Sequence, residues 1–584
     1  MIVISMVLLT KAGFAQNQSQ ASSSLVQPLA PILIPGKSVE RTLSPHESVT
    51  FALPVHAGLY SEVHVQQIQG MTQSFLIGLD GHDSLPHFND GGIGSVERIP
   101  LIAAQSGTVH LRIESRERHV LVIFQVTRSL ERIQLPRDQK IVQAESALTE
   151  AEYVRHRTGF HSTPKVQNSA YILALYDRTH CLAVEAGDDA LVRQSLIGKA
   201  RYQIFNSAEY QQGVQTATQA TQLSPAIGDI DQQALAWKTL ASALAFVDHY
   251  DESITASQHA IALYRETGDR YWRGIVLGNL ADTYREIGDS GKAIEAAKEA
   301  LQLAQQLSDD YGVAYTQATI GEIYQGRGQY QQAIDAYDAA LSTANIVNYP
   351  QVEGEVWSDL GQLYAKLGDL QRAKNAYVQA LPILQKDGDD INKIEVLGHL
   401  GELALHSKNP RQAQQYFSQG LMRAREQRLI REETFLKAGL ARTCLEIHCA
   451  EDPLLTLLQA QHEAEQIHQV DGEAAIDAAI GDVLARRHDD SGAMHAYAQS
   501  ATLWQQIPNS SELAAVEADM ARLDVRRGQL QSARLQIYGS AQESVKQRDF
   551  RGFCLRAGIG YSSADARQRL DTGIGLAWVQ GLPA

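Results

Sequence analysis

Two hydrophobic rhythms divide the chain. Between Pro31 and Val126 apolar residues recur at every second position: Val49, Phe51, Leu53 and Val55, then Val63 and Val65, then Phe75, Ile77 and Leu79. Val109, Leu111 and Ile113 follow, and finally Val120, Val122, Phe124 and Val126, with Gly58, Gly81, Gly91-Gly92 and Gly107 between the runs. Short alternating strands punctuated by glycine predict a small all-β sandwich over 31–128. After Pro136 the rhythm becomes helical. Gln139 to Arg157 and Gln167 to Ala186 read as two helices, an irregular pair over 137–190 that caps what comes next.

From there the pattern repeats. Ile320-Gly321-Glu322-Ile323-Tyr324, Gly328, Ala333, Tyr337 and Ala340 return forty residues later as Leu360-Gly361-Gln362-Leu363-Tyr364, Gly368, Ala373, Tyr377 and Ala380. Leu280, Ala281, Tyr284, Ala293, Ala297 and Ala300 hold the same register, and copies begin at Ala200, Leu240, Leu400, Leu440, Ile480 and Met520. The small residues, among them Gly321, Gly361, Gly401 and Gly481, are expected to face Ala333, Ala373, Ala413 and Ala493 across each helical hairpin. Gly-Asp pairs such as Gly288-Asp289 and Gly368-Asp369 supply turns, and Asp309 and Asp389 sit where helices are capped.

These offsets resemble the tetratricopeptide repeat, whose usual period is about 34 residues. The resemblance covers Ala200 to roughly Asp549 and implies a mainly α fold, a superhelix of helix pairs. The array is expected over 191–549, with a degenerate last repeat or truncated tail over 550–584. A 40-residue unit is similar to the long repeats of kinesin light chains and of bacterial proteins carrying a CHAT domain. The sandwich, with Leu33-Ile34-Pro35-Gly36, Ala57-Gly58-Leu59-Tyr60 and Leu79-Asp80-Gly81, resembles the pre-peptidase type of bacterial secreted proteins. In CHAT-type proteins a caspase-like peptidase domain with a His-Gly and a later Cys follows the repeats. No such segment is read here, so no residue takes a dyad role.

Met1 to Leu9 is an apolar run, and Gly13-Phe14-Ala15 offers small residues before Gln16. This resembles a short secretory signal peptide over 1–15, followed by a flexible spacer over 16–30, and predicts export to the periplasm or beyond. The sequence offers no membrane span. The four cysteines, Cys181, Cys444, Cys449 and Cys554, are read as core or loop cysteines rather than a disulfide framework or zinc site. Asp80, Asp83, Asn89 and Asp90 with His82 and His87 crowd one loop, but their spacing fits a turn better than a calcium loop.

Charge narrows the function classes. The formal net charge is −16, with 67 acidic against 51 basic residues, which argues against a nucleic-acid footprint. There is no P-loop, no Gly-x-Ser-x-Gly elbow and no His-Glu-x-x-His, so the sequence predicts neither an enzyme nor a cofactor. The resemblance places the residue two after the motif leucine on the concave surface. Down the chain that column reads Ser242, Asp282, Glu322, Gln362, Glu402, Arg442, Asp482 and Arg522, with Glu355 and Glu395 beside it and Arg486 and Arg526 at its end. The expected function is a scaffold that holds a peptide or protein partner there, a basic or polar segment in the acidic middle. The alternative is the recognition half of a CHAT-type peptidase separated from its catalytic domain.

Overall fold

The computed structural model describes residues 30–536, apart from 70–71, 78–86, 89–95, 116–121, 159–165, 208, 224–229, 388–389, 428, 448, 450–451, 467–468, 507–510, 530 and 534–535. The expected signal peptide, the turn residues Asp80, Asp83, Asn89 and Asp90, the cap Asp389 and the tail all lie outside these residues. The described residues form two compact units. The first runs to Glu286 and includes Gly291–Gly312; the second includes Ile287–Ser290 and continues from Val313.

Nine strands come first: β1 Ser38–Leu43, β2 Ser48–Val55, β3 Leu59–Gln69, β4 Thr72–Ile77, β5 His87–Phe88, β6 Val96–Ile102, β7 Gly107–Ser115, β8 Val122–Arg128 and β9 Arg132–Ile133. They make two antiparallel sheets, one ordered β1-β8-β3-β6 with β9 on β3, the other β2-β7-β4-β5. Phe51, Leu53, Val63, Val65, Leu111, Ile113, Phe124 and Val126 fill one shared core between the sheets. Alternation alone puts them there, since every second side chain of a strand faces the same way.

Strand β4 departs from the expected pattern. Its fully buried residues are Thr72 and Ser74, while Phe75 and Ile77 are only half-buried. The inward polar groups are matched: Gln67 Nε2 donates to Thr72 Oγ1 at 3.2 Å and Ser74 Oγ donates to Glu97 Oε2 at 2.8 Å. Phe75 instead lies under the guanidinium of Arg112, 4.5 Å from its ring centre.

The helices of the first unit are α1 Pro136–Thr158, α2 Val166–Ala186, α3 Asp189–Phe205, α4 Tyr210–Gln222, α5 Ile230–Phe246, α6 Tyr250–Thr267, α7 Arg270–Glu286 and α8 Ser290–Leu307. Those of the second are α9 Asp310–Gly326, α10 Tyr330–Val347, α11 Pro350–Lys366, α12 Leu370–Asp387, α13 Asp390–His406, α14 Pro410–Gln427, α15 Ile430–Cys444, α16 Pro453–Gln466, α17 Val470–Arg486, α18 Asp490–Trp504 and α19 Ser511–Arg526. The fold is an α-solenoid of paired helices behind a small antiparallel sandwich.

Local chemistry sets the helix boundaries. Asp188, Asp269, Asp309, Asp369 and Asp489 each accept a backbone N–H three residues on, at 2.9 to 3.0 Å. They satisfy donors that a helix start leaves open. The turns after α5, α7, α9, α11, α13, α17 and α19 each hold one left-handed residue. Gly328, Gly368 and Gly528 provide it, but Asp248, Lys408 and His488 adopt it too, with φ of 60°, 55° and 64°.

Close packing explains the motif glycines differently from the sequence expectation. A Cβ on Gly321, Gly361, Gly401 or Gly481 would stand 2.4 to 2.6 Å from the ring of Tyr337, Tyr377, Phe417 or Tyr497. The aromatic ring one turn beyond each of Ala333, Ala373, Ala413 and Ala493 is what lies nearest to its glycine. Phe417 is gripped from both sides, by Gly401 and by Gly439 of the next hairpin.

The cysteine expectation is also corrected. Cys444 and Cys449 form a disulfide, their Cα atoms 5.4 Å apart. The reason is local. Helix α15 stops at Cys444, and the chain that follows turns back far enough to bring the second thiol within bonding reach. Cys181 is free and exposed.

Candidate binding surface

Within the first unit the predicted column converges on a pocket. Ser242 from α5 and Asp282 from α7 line the same cleft, together with Lys238, Ser257, Asn279 and Glu286. The cavity at its centre is small, about 30 Å³, and opens to solvent. Asp282 and Lys238 are each 6% exposed, so both charges sit at the wall rather than in bulk water. Lys238 Nζ lies 4.1 Å from the centre of the Trp272 ring, a cation–π contact that fixes the ammonium. On the opposite side Arg285 reaches Glu286 at 2.9 Å and Asp282 at 4.0 Å. Lys238, Asp282 and Glu286 thus line one cleft with Ser242, Ser257 and Asn279, while Ala241, Ala245 and Val276 add an apolar wall. Such a cleft can meet both the donors and the acceptors of a polar ligand.

Within the second unit the column is a ladder of opposite charges. Glu322 and Gln362 are half-buried on α9 and α11. Glu402 on α13 forms an ion pair with Arg442 on α15. Glu402, with Asp482 and Glu512, holds the Arg442 guanidinium above its usual range against the opposing effect of burial. Burial raises Asp482, and Arg442, Arg522 and Arg486 oppose that rise; Tyr497 donates its hydroxyl to this carboxylate at 2.7 Å. Arg522 pairs with Asp519 on its own helix, and Arg526 donates to the Ala485 carbonyl at 2.9 Å. Beside the column, Glu355 accepts from Gln351 at 3.3 Å and from Asn392 at 3.4 Å. Glu395 adds its negative field to Arg431, which is paired with Asp471.

The column positions therefore come together in space, but their charges partly cancel between neighbouring hairpins. Glu402–Arg442, Glu446–Arg486 and Arg431–Asp471 join equivalent positions of consecutive hairpins. The column as read from the sequence already sets Glu402 before Arg442, but not that the two side chains meet. The sequence reading also missed Lys238 and Trp272. Their signal was weak, because a lysine beside a motif leucine looks like any solvated lysine.

Residues 232–306, 312–386 and 352–426 match the family model described as tetratricopeptide repeat. The chain carries tetratricopeptide repeats. The pocket, with Glu322, Gln362 and Glu402, falls within the matched spans, and the rest of the charge ladder follows them in the chain. No curated protein matches the sequence. Among solved structures, the apo form of the quorum sensor NprR from B. thuringiensis is similar at 14% identity and a TM-score of 0.43, covering 62% of this chain and 98% of that one. A Rap protein complexed with competence and sporulation factor is similar at 12% identity and 0.44, covering 64% and 99%. The Rap conjugation gene regulator of plasmid pLS20 in complex with the Phr* peptide gives 14% and 0.39, covering 56% and 96%.

Proposed function

We propose that this protein is a non-enzymatic interaction scaffold whose column of helix-borne polar side chains holds a peptide or protein partner. The observation that carries this reading is the pocket of the first unit, where Ser242 and Asp282 of the column meet with Lys238, Asn279 and Glu286 in one cleft. Repeats of 40 residues lengthen each helix pair and give each hairpin a broader face than the shorter form. The ligand is a polar segment rather than a purely basic one, because Arg285 and Arg442 already answer part of the acidic charge. Glu322, Gln362, Glu355 and Glu395 extend the surface.

The scaffold acts outside the cytoplasm. The apolar N-terminal run supports export, and the Cys444–Cys449 disulfide suits an oxidising compartment. A second reading, the recognition half of a CHAT-type peptidase, is favoured by the order of a sandwich followed by long repeats.

The test uses a random peptide library displayed against the full chain. Peptides selected by the native protein should lose at least tenfold in affinity for Asp282→Lys, with helicity unchanged by circular dichroism. Equal binding would move the site elsewhere.

A further inference from the structure

The sandwich meets the leading helices, all within the first unit, through a group of charges that the scaffold reading does not use. Arg98 of β6 points at α1 and at the turn before α3. Its Nη2 lies 2.7 Å from Asp188 Oδ2 and 3.6 Å from Glu145 Oε1. Glu62 of β3 adds a third negative charge to the same guanidinium. Glu62 is itself held by Tyr60 and by His64 Nε2 at 2.9 Å. Asp188 is committed elsewhere as well, capping α3 by accepting the Leu191 N–H at 3.0 Å. One cation therefore answers three carboxylates, and of the two within ion-pair reach Glu145 is the more distant and only 7% exposed.

We propose that this junction is a proton-operated latch, which holds the sandwich on α1 and α3 while Glu145 is protonated and loosens when Glu145 ionises. The electrostatics give the direction. Burial raises the Glu145 carboxyl to about 7; Arg98 opposes this, and Asp188 and Glu62 add to it. Glu97, on the inner face of β6, is itself raised to about 8 by burial, so it is largely neutral while Glu145 titrates and adds little repulsion there. From α2, the packing beside Glu145 is neutral at Thr179, whose hydroxyl donates to the Ala144 carbonyl at 3.3 Å. Freed from the junction, Glu145 would return to the ordinary carboxylate range. The docked state then binds the extra proton, so docking is strongest in mild acid and weakens as pH rises through about 7. A second attachment, the bidentate pair of Arg132 with Asp138 at 2.6 and 2.7 Å, keeps its charge through this window because the Asp138 carboxyl is held low by Arg132. The latch loosens the middle of α1 while its N-terminal turn stays tied.

Hydrogen exchange on the full chain tests this, with rates corrected for intrinsic pH dependence. From the Glu145 shift, amides of β6 and the middle of α1 should be about 10-fold more protected at pH 6 than at pH 8.5. Glu145→Gln should abolish the difference and hold the pH 6 protection throughout. Asp188→Asn, which removes a repelling charge and can still cap the helix, should move the midpoint to lower pH; it decides the matter even where Glu145→Gln does not fold. Protection that is flat or rising with pH in the native chain overturns the latch. So does a pH dependence that persists unchanged in Glu145→Gln, or a midpoint unmoved by Asp188→Asn.

Discussion

At the scale of single residues, the glycines that seat aromatic rings make the firmest prediction. Gly361→Ala places a methyl 2.4 Å from the Tyr377 ring, with that ring fixed between helices. It should cost about 1–3 kcal/mol in denaturant unfolding, the usual penalty for overpacking. Gly326→Ala is the matched control: nothing lies within 4 Å of its Cβ, so it should be neutral or slightly stabilising. His399 gives a residue-scale pH dependence. Burial lowers its pKa to about 4 from 6.5, with the ring stacked on Tyr377. The folded state binds fewer protons than the unfolded one in this window. Stability is complete above pH 6.5 and falls as pH drops toward 4, by on the order of 3 kcal/mol. His399→Phe should flatten that acid limb, measured by thermal melts from pH 7 to pH 4; an unchanged limb would assign it to the carboxylates instead.

At the scale of elements, the turns and the disulfide carry the argument. Lys408 takes a left-handed conformation in the turn between α13 and α14 where other hairpins use glycine. Lys408→Gly should stabilise the second unit by about 1 kcal/mol, since an L side chain pays roughly that for this conformation. The Cys444–Cys449 bond closes a short loop beyond α15. Its reduction, or the double change to serine, should lower stability by about 2 kcal/mol on loop-closure grounds, read from unfolding midpoints with and without reductant. Elements were also the most legible level of the sequence. The strands rest on strict alternation, and the helix starts rest on aspartates such as Asp309 that cap by hydrogen bonding to a near neighbour. Legibility failed where a tertiary partner decided the outcome. Thr72 and Ser74 turn inward on β4 where Gln67 and Glu97 receive them, and Glu97 lies 23 residues from Ser74. Cys444 and Cys449 looked like ordinary packing cysteines because nothing in their spacing shows how the chain bends beyond α15.

At the scale of the whole chain, the net charge of −16 gave an incomplete picture of the binding column. Composition suggested an acidic middle and a basic end. In the second unit the structure interleaves them instead, with Glu402 on Arg442 and Asp482 in the field of Arg442 and Arg522. Part-buried pairs at a solvent-facing surface are individually weak, about 0.5–1 kcal/mol each, so they set the pattern of charge more than the stability of the fold. The column is therefore a surface of mixed sign that selects polar, shape-matched segments, and any contact with it should weaken only moderately in salt. The most direct measurement of this account is the affinity of library-selected peptides for the native chain and for Asp282→Lys, run side by side with Lys374→Glu away from the column. The scaffold reading predicts a loss of tenfold or more with Asp282→Lys and none with Lys374→Glu. Equal affinity for all three proteins would contradict it.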